Sequence, residues 1–405
     1  MSIHVAFALP ARFHLWWAVS TLGSAGSAML SFAVIWLATG HGAGAVALVS
    51  TLSVLPPVVL LLLGGVLGDR HGPRRLLTMT SSAQGLSLLA LLAIAQDDTA
   101  VLLLAAIAAT TSVISALQQP AALVYPRLLI AHKDQLARAL ARISGSVGAA
   151  RILGVAAGGA LIAAVPLQVV LAANLLIAGI FLVVLRALRP QAASSKTASR
   201  VPDGGVWRAV VDGIRSVRAL RNGPLLGAVA LVCSAVMPVV AVVLPSSARA
   251  QGWSAAQASL LESSWAGGML LVTLLISVTG TLTRPRRALV GGPLVIAIAL
   301  VTLALPLDVP WALGTVAVLG AGTALFTTHI APTLLRRAPA GQMARFQSLM
   351  ALVQLAPAAL LNGAFAALAG SGCVVLAFLL AAGLAGGAAV MVARVVRASA
   401  EILPA

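Results

Sequence analysis

Charge is what this sequence has least of. Of its 405 residues, 9% are Asp, Glu, Lys or Arg, and only 9 are acidic. A chain folded in water carries roughly 25% charged residues, so most of this surface faces something other than water. Cysteine is nearly absent as well: Cys233 and Cys373 each sit inside an apolar run, are read as buried free thiols, and exclude a disulfide framework. The 6 histidines are scattered with no pair at helical ligand spacing, so no metal site is expected. There is no nucleophile elbow, no paired carboxylates and no Walker lysine motif, which argues against an enzyme, against a bound cofactor and against ATP-driven pumping. The first apolar run continues into a full span without a small-residue cleavage site, so no cleaved signal peptide is expected.

What is present is apolar length: 60% of the chain is hydrophobic. Each crossing of a roughly 30 Å hydrocarbon core takes about 20 apolar residues, and about twelve such runs fit. They fall near 15–37, 44–67, 75–95, 100–121, 143–164 and 168–187, then near 224–247, 256–279, 288–305, 311–332, 345–368 and 373–394. The runs lack the every-second-residue alternation of a transmembrane barrel, so the fold class is all-α, polytopic, with twelve transmembrane helices. The net charge of +17 would suggest nucleic acid in a soluble protein. Here the basic residues gather in alternate connections instead: Arg70, Arg74 and Arg75; Arg127, Lys133, Arg138 and Arg142; the stretch 186–221; Arg284, Arg286 and Arg287; Arg336, Arg337 and Arg345. That is the positive-inside pattern, and it places both termini in the cytoplasm. Arg249 is the clear exception. The stretch 186–221 begins as a Ser-rich linker and continues, over 206–220, as an amphipathic helix for the inner membrane surface. Trp16, Trp36, Trp253 and Trp311 lie at predicted span ends, where interfacial anchors belong.

Two short echoes divide the chain. Gly72 to Arg75 is repeated as Arg284 to Arg287, and Gln135 to Arg138 as Gln342 to Arg345, in the same order and topological position. The division expected is 1–187 for one six-helix half, 188–222 for a cytoplasmic linker and 223–405 for a second, pseudo-symmetric half. The sharpest motif is Gly65-Val66-Leu67-Gly68-Asp69-Arg70-His71-Gly72-Pro73-Arg74, followed by Leu77. It resembles the signature loop between the second and third spans of the major facilitator superfamily, with Pro73 in place of the usual basic residue. The segments from Arg12 to Pro57, from Gln135 through Gly159, from Arg221 to Leu225 and from Pro339 to Ser348 are similar to the enterobactin-exporter and macrolide-efflux branch. The resemblance implies the major facilitator fold and a bacterial inner-membrane exporter of siderophores, antibiotics or related amphiphiles. It also implies a gate in which Gly65, Gly68, Asp69, Arg70, Gly72 and Arg74 hold the cytoplasmic side closed. Gly154, Gly158 and Gly159, with Gly148, resemble the exporters' antiporter motif with Val155 replacing its proline, or serve as plain helix packing.

Polar residues inside spans are costly and therefore informative. Ser20, Ser24, Ser27 and Ser31 form one stripe on the first span, and Thr111, Ser115 and Gln118 another on the fourth. Thr323 and Thr327 align on the tenth, and Gln347 and Gln354 on the eleventh. The resemblance implies that the first and fourth spans of each half line a central cavity, which makes these stripes substrate-cavity candidates, with packing hydroxyls the alternative. Arg151, two turns or more into the fifth span, joins them, as does Trp265 beside Glu262 on the eighth. Arg151 favours tolerance of anionic substrates, unless it snorkels to the surface. Glu262 is the one acid nominated for proton coupling, with an exposed helix-end carboxylate the alternative. The function expected is a monomeric secondary transporter exporting a small amphipathic molecule by alternating access, with protons as candidate coupling ions and the bilayer as its surroundings. The rival readings are uptake or lysophospholipid movement by the same fold, and a non-transporting receptor or accessory protein.

Overall fold

The structure, a computed structural model, describes residues 9–95, 100–130, 133–188, 223–279, 285–336 and 343–400; within these, side chains at 61–71, 133–134, 137, 285, 335–336, 343–349 and 398–400 are not described. All regular structure among the described residues is helical. Among the described residues, twelve helices are long and apolar enough to cross a membrane, so the chain is a multi-pass membrane protein. They are α1 (Ala11–Thr39), α2 (Ala43–His71), α3 (Pro73–Ile94), α4 (Val101–Val124), α5 (Lys133–Ala164) and α6 (Leu167–Ala187). After the central stretch come α7 (Gly223–Ala250), α8 (Ala255–Thr279), α9 (Pro285–Leu303), α10 (Val309–Arg336), α11 (Met343–Gly370) and α12 (Val374–Ala400).

Helices prevail because a chain in hydrocarbon must satisfy its peptide groups within each segment. Prolines inside them remove single bonds, and the chain adapts locally. In α7, Pro238 is followed by a π-helical turn, Val239–Val243, in which the Leu244 N–H reaches back to the Val239 carbonyl. Between α2 and α3 the reversal is made by Gly72 at φ 78°, a conformation that costs glycine little. Pro73 then opens α3 at its first position, where a missing N–H is harmless.

The packing repeats itself. α1 lies on α5 and α6, α2 on α4, and α3 on α4 and α6. The same pairs recur six helices later: α7 on α11 and α12, α8 on α10, and α9 on α10 and α12. These are two pseudo-symmetric six-helix groups, and they meet chiefly through α5 against α8 and α2 against α11.

That meeting is confined to one end. Among the described side chains of the four helices concerned, buried residues lie within 43–50, 150–159, 255–268 and 358–366, apart from Ala139, which packs inside its own group, while 51–60, 140–149, 271–279 and 350–357 contain none. At the joined end, Asn362 of α11 donates to the Ser50 carbonyl of α2 at 3.3 Å. Ser263 of α8 donates to the Ile152 carbonyl of α5 at 3.2 Å. Towards the other end, among the described side chains, none of these four helices buries a residue against the opposite group.

Several expectations need correction. Helices run past the apolar windows: α5 begins at Lys133 rather than near 143, since hydropathy marks the part suited to lipid and not the polar turns beyond it. Trp16 is no interfacial anchor: it is 2% exposed, with Tyr125 at 4.5 Å and Phe181 at 5.4 Å between ring centroids. Trp36 is likewise buried, whereas Trp311 stands exposed at the start of α10. Cys373 is exposed in the turn before α12, not buried. The linker and the amphipathic segment 206–220 lie outside the described residues.

Candidate functional site

The two charged candidates can be placed from the faces their helices present. On α5, Ile152 and Gly159 face α8, while Gly154 and Gly158 face α1 so closely that a Cβ at either would collide with the backbone of Ala25 or Met29. Gly159 is equally tight against Ser259 of α8. The outward face is marked by Leu153, 68% exposed. At about 100° per residue, Arg151 lies roughly 160° around from Leu153, between the α1-facing and α8-facing stripes. Its exposure is therefore towards the space between the groups.

On α8 the outward face carries Leu271 and Val278, 70% and 86% exposed. Glu262 lies roughly 160–180° from both. It falls between the residues that meet α5 (Ser259, Ser263) and those that meet α10 (Trp265, Gly268). Arg151 is the charge that acts on Glu262. The two do not form a direct ion pair within 4.0 Å, and neither side chain hydrogen-bonds another described residue. One turn on, Trp265 is 9% exposed and its indole N–H has no partner.

Depth follows from the contacts. α5 and α8 run antiparallel, with Ile152 opposite Ser263 and Gly148 near Leu270. Arg151 is then level with Trp265, and Glu262 is within a turn of both, roughly 5 Å away in depth. α1 runs alongside α5, with Trp17 donating to Ser146 at 2.7 Å and Ala25 against Gly154. That brings Ser20 and Ser24 to the level of Arg151. Ser24 returns its hydroxyl to the Ser20 carbonyl at 2.9 Å, whereas the Ser20 hydroxyl is buried without a partner. Ser27 and Ser31 are exposed one to two turns nearer the joined end.

The remaining candidates divide. Ser115 of α4 and Gln354 of α11 are exposed, and Thr111 is partly so, with its hydroxyl on the Ile107 carbonyl at 2.6 Å. Gln118 turns sideways: its amide donates to Ser81 of α3 at 3.3 Å. Thr323 is buried with its hydroxyl on the Leu319 carbonyl, and Thr327 bonds the Thr323 carbonyl. The side chain of Gln347 is among those not described. So are those of Gly65, Gly68, Asp69 and Arg70, which the backbone places in the last turns of α2. Beyond Gly72, Arg74 donates to the Arg186 carbonyl at the end of α6, at 3.0 Å. Among the described residues no three His, Cys, Asp or Glu come together as a metal site would require.

One residue carries more than the sequence reading gave it. Arg249, at the end of α7, reaches across to α1, where its Nε donates to Thr39 Oγ1 at 2.6 Å and its Nη2 to the Trp36 carbonyl at 3.0 Å. Its guanidinium also lies over the Trp36 ring, 4.3 Å from the centroid. A cation at the carbonyl end of a helix complements the helix dipole. Arg249 thus ties the two groups together at their joined end. The available signal was its place as the exception to the charge pattern, but its partners lie 210 and 213 residues away.

The Major Facilitator Superfamily model matches residues 16–361. No curated protein matches the chain. Similar solved structures include a bacterial homologue of the iron transporter ferroportin in an inward-facing state, 17% identical, with a TM-score of 0.68 over 96% of this chain and 99% of that one. A peptide transporter, POT, in complex with sulfate is 13% identical, with a TM-score of 0.73 over 98% of this chain and 96% of that one. A mutant of the nucleoside transporter NupG is 11% identical, with a TM-score of 0.68 over 92% and 99%. At these identities the likeness is one of fold.

Proposed function

This chain belongs to the Major Facilitator Superfamily, and we propose that within it the protein is a secondary transporter, not an enzyme, exporting a small amphipathic molecule by alternating access. The observation that carries the reading is the one-ended joining of the halves: α2 packs on α11 and α5 on α8, and among their described side chains residues are buried between the halves at one end only. Two rigid bodies joined this way can rock about a site between them. The halves are taken as 1–187 and 223–405, joined by a cytoplasmic linker over 188–222.

The positive-inside pattern supports an orientation with both termini in the cytoplasm of a bacterial inner membrane. The joined end, with Arg249, then faces outward, and the form is inward-facing. The loop bearing Asp69, Arg70, Gly72 and Arg74 lies at the open end, where it would close the cytoplasmic gate in the opposite state. The substrate would meet Ser24, Ser27, Ser31, Ser115, Arg151, Trp265 and Gln354, with Glu262 as the proton-coupling group. A siderophore, antibiotic or drug is the substrate expected from the resemblance of the chain to exporters.

The test is efflux from everted vesicles energised by a pH gradient, screening siderophores, macrolides and cationic dyes, with Asp69→Asn as the control. Gradient-dependent accumulation of one class, lost in the variant, is the expected outcome. No flux of any compound by a protein shown to be folded would remove export and turn attention to uptake or lipid movement.

A further inference from the structure

Two opposite charges face the same interior space from opposite halves: Arg151 on α5 and Glu262 on α8. Charges inside spans persist only where something compensates them. Here each side chain lacks a hydrogen bond to any other described residue, and the two are not in direct contact, although Arg151 acts electrostatically on Glu262. Next to them, level in depth, are a buried indole N–H without a partner on Trp265 and a buried hydroxyl without a partner on Ser20. Unmade hydrogen bonds of this kind in a buried site cost stability unless a ligand completes them.

We infer that Arg151 and Glu262, with the Trp265 N–H, form a recognition site for an amphipathic zwitterion, whose anionic group sits on Arg151 and whose ammonium group sits on Glu262. The inference rests on the transporter reading and names its substrate class. A guanidinium offers five donors to a carboxylate or phosphate, and a carboxylate accepts from an ammonium group. The two fixed charges sum to zero, so a ligand of zero net charge with separated ends leaves neither uncompensated. A simple anion would meet Arg151 but lie in the field of Glu262, and a simple cation the reverse; each is thereby selected against. The partly buried Met269, two turns from Glu262 on the same face, and the Trp265 ring offer an apolar wall for the rest of the molecule. The charged ends could belong to a soluble amino-acid-like molecule or to the headgroup of a single-chain lipid; the chemistry recognised is the same.

The experiment is calorimetric titration of the full-length protein in nanodiscs with two matched probe series. The first is phenylalanyl-phenylalanine, its C-terminal amide and its N-acetyl derivative, which are zwitterion, cation and anion on one body. The second is lysophosphatidylethanolamine against lysophosphatidylglycerol, a zwitterionic and an anionic headgroup on one chain. The zwitterion of one series is expected to bind about tenfold tighter than its charged relatives, the order of one charged hydrogen bond, and the series that does so names the source. Arg151→Gln is expected to erase the preference over the cation, and Glu262→Gln the preference over the anion. The double exchange Arg151→Glu with Glu262→Arg restores both preferences, and it separates lost recognition from lost folding. The assignment is overturned if the anion or cation binds as tightly as the zwitterion, if the preferences survive both single substitutions, or if neither series binds. A protein that transports a substrate of net charge with no such preference would lose this assignment and keep the transporter reading.

Discussion

Arg249 shows how much a single side chain can contribute to a choice between states. Two hydrogen bonds from a guanidinium and a cation–π contact, discounted for partial exposure, amount to about 2 kcal/mol. A contact made only when the outer end is joined shifts a two-state equilibrium by that amount, roughly thirtyfold. Arg249→Ala is therefore expected to open the joined end. With Cys373 replaced by Ser and a reporter placed by Ser31→Cys, labelling by an impermeant maleimide added from outside should rise about tenfold or more. Arg249→Lys keeps a cation over Trp36 but loses the fork that spans Thr39 and the Trp36 carbonyl, so it should fall between. Equal labelling in all three proteins would mean Arg249 holds nothing shut. Glu262 poses a separate question at the same scale. If it carries the coupled proton, Glu262→Gln abolishes pH-gradient-driven flux while substrate exchange without a gradient continues; unchanged driven flux would free Glu262 of that role. The type and depth of these residues are legible in the sequence, since a charge within an apolar run announces itself. Their partners are not, because Arg249 and Thr39 are brought together only by the meeting of two halves. Gln118 was misdirected for the same reason: a helical stripe gives an angle, and only the neighbouring α3 decides that the amide turns to Ser81.

Among the elements, α5 bears the most, since it packs on α1 within its own half and on α8 across the boundary. Its glycines are not equivalent. A Cβ at Gly159 would strike the Ser259 side chain and the Ala255 carbonyl, whereas one at Gly145 meets nothing within 4 Å. Gly159→Val should cost about 1–3 kcal/mol through overpacking, seen as a lower Tm of the purified protein. Gly145→Ala should be neutral or raise Tm slightly, by removing a flexible residue from a helix interior. Equal effects at the two sites would show that the α5–α8 approach is not tight. Helix number and order were legible because hydrocarbon thickness sets a minimum apolar length. Helix ends were not: Lys133, Arg138 and Arg142 continue α5 in a stretch whose charge removes it from any apolar window, though helical backbone persists there. The tryptophans failed similarly, because a ring at a span end can stand exposed, as Trp311 does, or fill a core, as Trp16 does, and composition is the same in both.

At the scale of the whole molecule, the six-helix repeat of packing partners gives two bodies, and the one-ended burial along α2, α5, α8 and α11 gives the motion open to them. If the halves rock, distances at the two ends must change in opposite senses. Spin labels at Ser144 of α5 and Ser277 of α8 lie at the open end, and labels at Ala47 of α2 and Ala367 of α11 lie at the joined end. In lipid without substrate, the first pair should give a long, broad distance distribution and the second a short, narrow one. Arg249→Ala should add a second population to both, shorter at the open end and longer at the joined end, in equal proportion. That proportionality is the test of rigid-body exchange, since one equilibrium governs both ends. A lengthening at Ala47–Ala367 without a matching shortening at Ser144–Ser277 would mean that the joined end frays locally. Alternating access would then lose its structural basis, even with the fold and the family intact.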